Sequence, residues 1–398
     1  MLSLSMIVRD EAEQLEACLA SVAGFVDEMV VVDTGSTDAT CAIAARCGAT
    51  VHQLAWPGDF APARNRALEL VHGDWVLVLD ADERLCSEAR DPLRRLMTDP
   101  DLLLINLLRR EEGASQAPYS NVSRLFRRHP AIRWSRPYHS MVDDSVVALL
   151  QREPHWRIGQ YGEAALIHHG YRPELLAAST KAKRLREAME SELHQRPGAP
   201  YASAKLAGLE LAEGRPDRAI PLLHSGLSHC PSDAHPERFE LLLHLAMAEA
   251  EDHPDRAVAH YREALALPLE RRLSLAAGLN LAGLLLRLQR LDEAATVAEQ
   301  TCAWAPELAL AWFNLGLIQR QRGALPAAIT AYRQAVALDP QRPESHQNLG
   351  AALLLAGDIV GARQGFREAI DLLQGQNRAD EARALAQRAG DLVNLSPP

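Results

Sequence analysis

Asp80-Ala81-Asp82-Glu83 follows directly on Trp75-Val76-Leu77-Val78-Leu79. The apolar run reads as a buried strand, and two carboxylates two residues apart at its end project to one side if the extended geometry persists. Like charges held so close repel, and a hard divalent cation bound through oxygen ligands is the usual neutraliser. Mg²⁺ or Mn²⁺ in such a place takes one or two carboxylates from the protein and completes its shell with water and substrate phosphates. An Asp-x-Asp pair at a strand end is as often a solvated turn, so its weight comes from what surrounds it.

Two further blocks lie upstream. Val30-Val31-Val32-Asp33-Thr34-Gly35-Ser36-Thr37-Asp38 contains the Asp-Thr-Gly-Ser of aspartic proteases. Those enzymes need two such loops, because two carboxylates share one proton. No second Asp-Thr-Gly or Asp-Ser-Gly occurs here, and the flanks are not all-β. In an α/β frame, Asp33 at a strand end accepts hydrogen bonds from a ribose or a base, or it merely supports the turn. Gly35 supplies that turn, and Ser36, Thr37 or Asp38 caps the next helix. Asp59-Phe60-Ala61-Pro62-Ala63-Arg64-Asn65 opens the helix before the acidic strand. Arg64 is there either a bidentate partner for a diphosphate or an exposed arginine without a role.

The elements that must position these groups alternate in type. Strand-like runs at 2–8, 29–32, 50–54, 75–79 and 102–108 are separated by helical stretches at 11–22, 37–47 and 62–71. Gly48 closes the second helix as a C′ glycine, and Pro62 sits in the first turn of the third. Such alternation specifies a mostly parallel sheet with helices on both faces, whose ligands bind outside the carboxyl ends of the strands. Asp33 and Asp80 both stand at such ends.

After about residue 175 the grammar changes to a repeat. Ala311-Trp312-Phe313-Asn314-Leu315-Gly316 with Gly323, Ala328, Tyr332, Ala335 and Pro340 fits the helix-turn-helix tetratricopeptide pattern. A shift of 34 residues gives Leu349-Gly350, Gly357, Ala362, Phe366 and Ala369; the reverse shift gives Leu281-Ala282, Ala294 and Pro306. Looser copies start at Leu206-Ala207 and Leu245. Five repeats exceed the roughly three needed to bury a continuous core. The organisation expected is an α/β domain over 1–175, a linking helix over 176–199, five repeats over 200–376, and a capping helix with tail over 377–398.

The rest of the composition bounds the partners. A net charge of −10 argues against general nucleic-acid affinity. No run of about 20 apolar residues exists, so no transmembrane helix is expected. The start, Met1-Leu2-Ser3-Leu4-Ser5, lacks a basic n-region and reads as a first strand rather than a signal peptide. Six scattered cysteines without a C-x-x-C pair read as reduced thiols, and a cytoplasmic location is expected.

Taken together, four blocks resemble the family 2 glycosyltransferases in order and spacing. They are Ser5-Met6-Ile7-Val8-Arg9-Asp10-Glu11, the Asp33 block, Asp59-Phe60 with Arg64-Asn65, and Asp80-Ala81-Asp82-Glu83. The resemblance covers roughly residues 1–175. It is nearest to the subgroup of peptide S-glycosyltransferases and lipopolysaccharide core β-glucosyltransferases, whose members often carry tetratricopeptide repeats. Arg124-Leu125-Phe126-Arg127, Tyr138-His139 and Ile167-His168-His169-Gly170-Tyr171 match that subgroup's later motifs.

The resemblance implies a GT-A, Rossmann-like domain followed by an all-α repeat solenoid, a nucleotide-sugar donor (a UDP-sugar first among them), and inversion at the anomeric carbon. It implies a Mn²⁺ or Mg²⁺ held by Asp82, Asp80 and His168, and donor contacts from Val8, Arg9, Glu11, Asp33, Arg64, Asp80 and Arg124. The acceptor is a peptide, protein, glycan or lipid-linked glycan, with the repeats gripping acceptor or partner. One departure stands out: the subgroup follows the His139 position with an acidic residue, and this chain has Ser140. The general base is then open among His139, Glu83, Asp143 and Asp144. Two other classes compete: a repeat scaffold carrying a degraded, inactive transferase domain, and a nucleotidyltransferase. The latter usually carries a Gly-rich phosphate loop, which the Val8-Arg9-Asp10-Glu11 turn lacks.

Overall fold

The computed structural model of the chain describes residues 1–114, 117–136, 140–169 and 180–393. Contacts divide it into two compact units, Met1–Ala188 and Met189–Pro398, with the division inside the helix Thr180–Gln195.

The first unit is built on one sheet of eight strands in the order β3-β2-β1-β4-β7-β6-β8-β5. β1 (Leu2–Val8), β2 (Glu28–Asp33), β3 (Thr50–Gln53) and β4 (Trp75–Val78) run parallel, linked through α1 (Leu15–Val22), α2 (Thr40–Arg46) and α3 (Phe60–Leu70). Alternation along β4 shows that both faces are covered. Trp75 and Leu77 join the core that holds Leu15 and Leu19 of α1, while Val76 and Val78 join the core that holds Ala61 and Leu68 of α3. A strand buried on two faces is mostly apolar, which is why β1, β2 and β4 were visible in the sequence; β3, a half-exposed edge strand, was placed by the alternation around it.

Beyond β4 the sheet is not the continuation that simple alternation predicts. β7 (Tyr119–Arg127) pairs antiparallel with β4, β6 (Leu102–Glu111) antiparallel with β7, and β8 (Arg157–His168) parallel with β6. β5 (Glu83–Leu85) closes the edge antiparallel to β8. The sheet is therefore mixed, with four parallel and three antiparallel pairings. β7 and β8 escaped the sequence reading because Tyr-Ser-Asn-Val-Ser-Arg and Arg-Ile-Gly-Gln-Tyr-Gly-Glu present no apolar run. Two short helices, α4 (Arg90–Leu96) and α5 (Asp143–Arg152), complete the unit.

The second unit is a run of paired helices: Pro200–Ala212 with Pro216–His229, His235–Glu249 with Pro254–Ala266, Leu275–Arg287 with Leu291–Trp304, Ala309–Gln321 with Leu325–Leu338, and Pro343–Leu355 with Ile359–Gly375. Ala379–Gly390 follows. Small residues are required where paired helices touch. A Cβ on Gly316 would lie 2.5 Å from the ring of Tyr332, and one on Gly350 only 3.1 Å from the Ala362 carbonyl. The turns at Gly323 and Gly357 use the left-handed backbone, with φ of 79° and 86°. Gln289, one 34-residue step earlier, keeps that conformation at φ 58° without a glycine. The periodicity thus survives in backbone where it has lapsed in residue type.

Candidate active site

The acidic block does not stay extended. Glu83 N–H donates to the Asp80 carbonyl at 3.0 Å, and Asp80 N–H donates to Glu83 Oε2 at 2.9 Å, closing a turn between β4 and β5. The two aspartates consequently find separate partners. Asp80 accepts from Arg64 Nη2 at 2.6 Å on Oδ1 and from Arg124 Nη2 at 2.5 Å on Oδ2. Burial alone would raise the Asp80 pKa, but the Arg124 and Arg64 guanidiniums hold it well below the usual carboxylate range. Asp82 Oδ2 lies 3.1 Å from His168 Nε2. In this arrangement two arginines neutralise Asp80, and a histidine faces Asp82.

Strand register explains the meeting of distant residues. β5 pairs Glu83 with His168, and β6 pairs Glu111 with the same His168. His168 Nδ1 lies 2.6 Å from Glu111 Oε2. Glu111 Oε1 in turn accepts from Arg109 Nε at 2.9 Å and Ser120 Oγ at 2.5 Å. Arg109, two residues earlier on the same face of β6, also donates through Nη1 to the fully buried Glu83 at 2.6 Å. Burial opposes the charge on His168, yet hydrogen bonds to Asp82 and Glu111 push its pKa up to about 9. Glu111 is pulled to about 2 against its burial, by the His168 hydrogen bond and the Arg109 charge.

Arg64 is placed by a neighbour that the sequence reading quoted without a role. Asn65 Nδ2 donates to the Trp134 carbonyl at 3.0 Å, and Trp134 N–H donates to Asn65 Oδ1 at 2.9 Å. That double bond seats the indole against Arg64, whose guanidinium carbon is 4.7 Å from the ring centroid. Arg64 and Arg124 are both about nine-tenths buried, and the Nη1 of each has no hydrogen-bond partner among the described residues.

The loops after β1 and β2 are laced together at the carboxyl end of the sheet. Asp33 is 1% exposed and accepts from Gly35 N–H at 3.2 Å, Ser36 N–H at 3.1 Å and the Ser36 hydroxyl. Gly35 takes φ 108°, open only to glycine. Asp10 N–H donates to Ser36 Oγ at 2.9 Å, and Thr37 N–H donates back to Asp10 Oδ1 at 2.7 Å. The Val8 carbonyl accepts from Thr34 Oγ1 at 3.0 Å, whereas the Arg9 side chain is exposed. Burial together with the charges of Asp82, Asp80, Asp38 and Asp10 pushes the Glu11 carboxyl up to about 7, so the Asp80 turn and the Glu11 loop share one negative field.

The four candidate bases fare differently. Glu83 is 0% exposed with Arg109 and the Asp80 N–H on its oxygens, a clamp on the turn rather than a group open to an acceptor. Asp143 accepts from Ser123 Oγ at 2.8 Å, and burial raises its pKa. Asp144 pairs with Arg136 at 2.9 Å and is half exposed. His139 lies outside the described residues, as do Tyr138, Gly170 and Tyr171. Glu111, Arg109 and Trp134 were not anticipated. The charged triplet Arg109-Arg110-Glu111 ending a core strand was the only signal for the first two.

Among the described residues no group of three His, Cys, Asp or Glu side chains is gathered to hold a metal ion, and no helix is long and apolar enough to cross a membrane. Residues 3–159 match the glycosyl transferase family 2 domain, and residues 316–357 match a TPR repeat. A TPR repeat-containing protein of Synechococcus elongatus is 43% identical over 92% of this chain and 91% of its own length. An uncharacterized glycosyltransferase of Rickettsia felis is 31% identical over 46% of this chain and 66% of its own, and glycosyltransferase SunS of Bacillus subtilis is 24% identical over 50% and 46%. Among solved structures, MamA of Desulfovibrio magneticus covers 45% of this chain and 97% of its own, at 26% identity and a TM-score of 0.40.

Proposed function

Since residues 3–159 match the glycosyl transferase family 2 domain and tetratricopeptide repeats follow it, we propose that the chain moves a sugar from a nucleotide-sugar donor to a peptide or glycan acceptor with inversion. The observation that carries this reading is the junction at the end of β4. There Asp80 sits between Arg64 and Arg124, and Asp82 faces His168. Arg64 and Arg124 each retain an unpartnered Nη1 donor, and these donors suit the oxygens of a leaving nucleoside diphosphate. Asp33, at the end of β2, braces the turn beside which the nucleoside would lie, its oxygens already taken by Gly35, Ser36 and Cys41.

Asp80 is a poor direct ligand for a cation, because an arginine occupies each of its oxygens. Asp82 and His168 offer one oxygen and one nitrogen, and this pair fits Mn²⁺ or Mg²⁺ whose remaining positions come from diphosphate and water. A cation bound there supplies charge stabilisation as the diphosphate departs. The turn clamp by Glu83 and the Asn65–Trp134 bracket hold Asp82, Asp80 and Arg64 in place before the donor arrives. Asp143, Asp144 and His139 stand as candidates to take the acceptor proton. The repeats are assigned to acceptor or partner binding.

The second reading, an inactive transferase domain on a repeat scaffold, draws on Ser140, whose hydroxyl is buried without a partner among the described residues. A screen of UDP-, GDP- and dTDP-sugars for binding and hydrolysis, with and without Mn²⁺, separates the two. Metal-dependent nucleotide binding with turnover supports the enzyme; no binding of any nucleotide overturns it.

A further inference from the structure

We propose that Trp56 and Phe60 form an aromatic platform on which the base of the nucleotide donor stacks. The inference rests on the nucleotide-sugar reading above and adds a holder for the part of the donor that still lacks one. Trp56 and Phe60 are the only tryptophan and phenylalanine side chains left exposed among the described residues, at 36% and 41%. Their ring centroids lie 5.0 Å apart at 73°, an edge-to-face pair. A single aromatic side chain in water needs no explanation. Two packed on each other hold a contiguous apolar surface in water, which folding by itself does not require. In such a pair the edge-on ring keeps both faces clear of its partner, and an open face is what a flat heterocycle stacks on.

The chain puts this pair at the ligand end of the sheet. Leu54 N–H donates to the Asp33 carbonyl at 2.9 Å, so the loop that follows β3 leaves beside the end of β2. Asp59 then caps α3 by accepting from Ala61 N–H at 2.8 Å, which fixes Phe60 as the first helical residue. Side chains lean toward a helix's N-terminus, so Phe60 leans past the start of α3, on the side of the strands' carboxyl ends. Arg64 stands on the same face one turn (~5.4 Å) further along, gripping Asp80 with its Nη1 unpartnered among the described residues. The order β3-β2-β1-β4 sets the Trp56 loop and Asp80 three strand spacings apart, ~14 Å. An extended nucleoside diphosphate covers that span, with its phosphates at Arg64, its ribose past the Asp33 turn and its base on the aromatic pair. Every base has a π face, so the platform supplies affinity for pyrimidine and purine nucleotides alike and leaves the choice of base to other groups.

The test titrates the full-length chain with UDP, GDP, dTDP and pyrophosphate by calorimetry, each with Mn²⁺ present. Trp56→Ala combined with Phe60→Ala is expected to weaken the nucleoside diphosphates roughly 10–100-fold and to leave pyrophosphate, which has no base, unchanged. Both side chains are exposed, so neither substitution removes core packing. Trp56→Phe keeps a π face and is expected to retain most of the nucleotide affinity. Nucleotide is also expected to quench part of the wild-type tryptophan emission, and W56F to lose that quenching while it still binds. Equal losses for pyrophosphate and the nucleotides would show a displaced Arg64 instead of a lost stack and overturn the proposal. Unchanged nucleotide affinity in the double variant overturns it too, and a raised acceptor KM in the same variant then gives the pair to the acceptor. A wild-type chain that binds none of the three nucleotides removes the nucleotide-sugar reading, and the platform with it.

Discussion

In the sheet unit, buried Arg64, Arg124, Glu83 and Glu111 form a network with the partly exposed Arg109 and Asp80, each charge answered by another within hydrogen-bond reach. The helical unit fills its interior mostly with Ala and Leu, with buried Glu210 and Glu249 each paired singly with Arg215 and His260, and pairs such as Arg262 with Glu293 or Arg383 with Asp380 stay near water. Replacing a buried ion network by apolar packing commonly stabilises a protein, so a network is poor evidence of stability for its own sake. Its concentration at the carboxyl end of β4 and on β5, β6 and β7 marks the part of the molecule where positioning matters more than stability. Surface pairs in the repeats contribute little, and there the shape of close-packed helices decides.

The difference can be broken most directly at Asp82. Asp82→Ala is expected to lower sugar transfer by about 10³-fold or more while the thermal melt stays near wild type, because a charged ligand is lost but no packing. Near-normal metal-dependent turnover would remove Asp82 from the site. The converse change is Gly316→Leu, which drives a side chain into the Tyr332 ring. Overpacking there is expected to cost about 2–3 kcal/mol in unfolding, read by denaturant titration, with donor hydrolysis unchanged. If donor hydrolysis falls with stability, the division of labour between the units fails.

Arg64→Lys sharpens the comparison further. A lysine keeps the charge but loses the planar fork that grips Asp80 and stacks on Trp134, so nucleotide affinity is expected to fall roughly tenfold by calorimetry. An unchanged affinity would make Arg64 a support for Asp80 only.

The smallest effect is a pH dependence. The Glu11 carboxyl is raised from 4.5 to about 7 in the folded chain, so the native state holds an extra proton between those values. Stability from this group is complete below pH 4.5 and is lost as pH rises through 7. Glu11→Gln should therefore gain on the wild type over that window in denaturation measured at several pH values. A difference that is flat with pH would show that the acidic field does not reach Glu11.

The repeat unit was legible almost completely, because one period of 34 residues states its helices, its small contact positions and its turns many times over. Gln289 is the instructive lapse: neighbouring copies force a left-handed turn on a residue that by itself would not announce one. Three of the parallel strands, β1, β2 and β4, were legible for a related reason, since burial on two faces demands mostly apolar runs. Asp33 and Asp80 could be placed at strand ends from the sequence, whereas Arg64, inside a helix, gained weight only from its neighbours.

What sequence could not decide was which charge answers which. His168 is 86 residues from Asp82 and 57 from Glu111, and only the β5–β8 and β6–β8 registers bring the three together. Glu83, set beside the aspartates by sequence, is turned inward by the very turn that separates them. Sequence determined the repeats, the parallel half of the sheet and the acidic strand end, because local periodicity and two-sided burial are written in consecutive residues. The tertiary structure alone decided the ion pairs. A hydrogen bond depends on separations of tenths of an ångström between side chains that the chain brings together only after the sheet has closed.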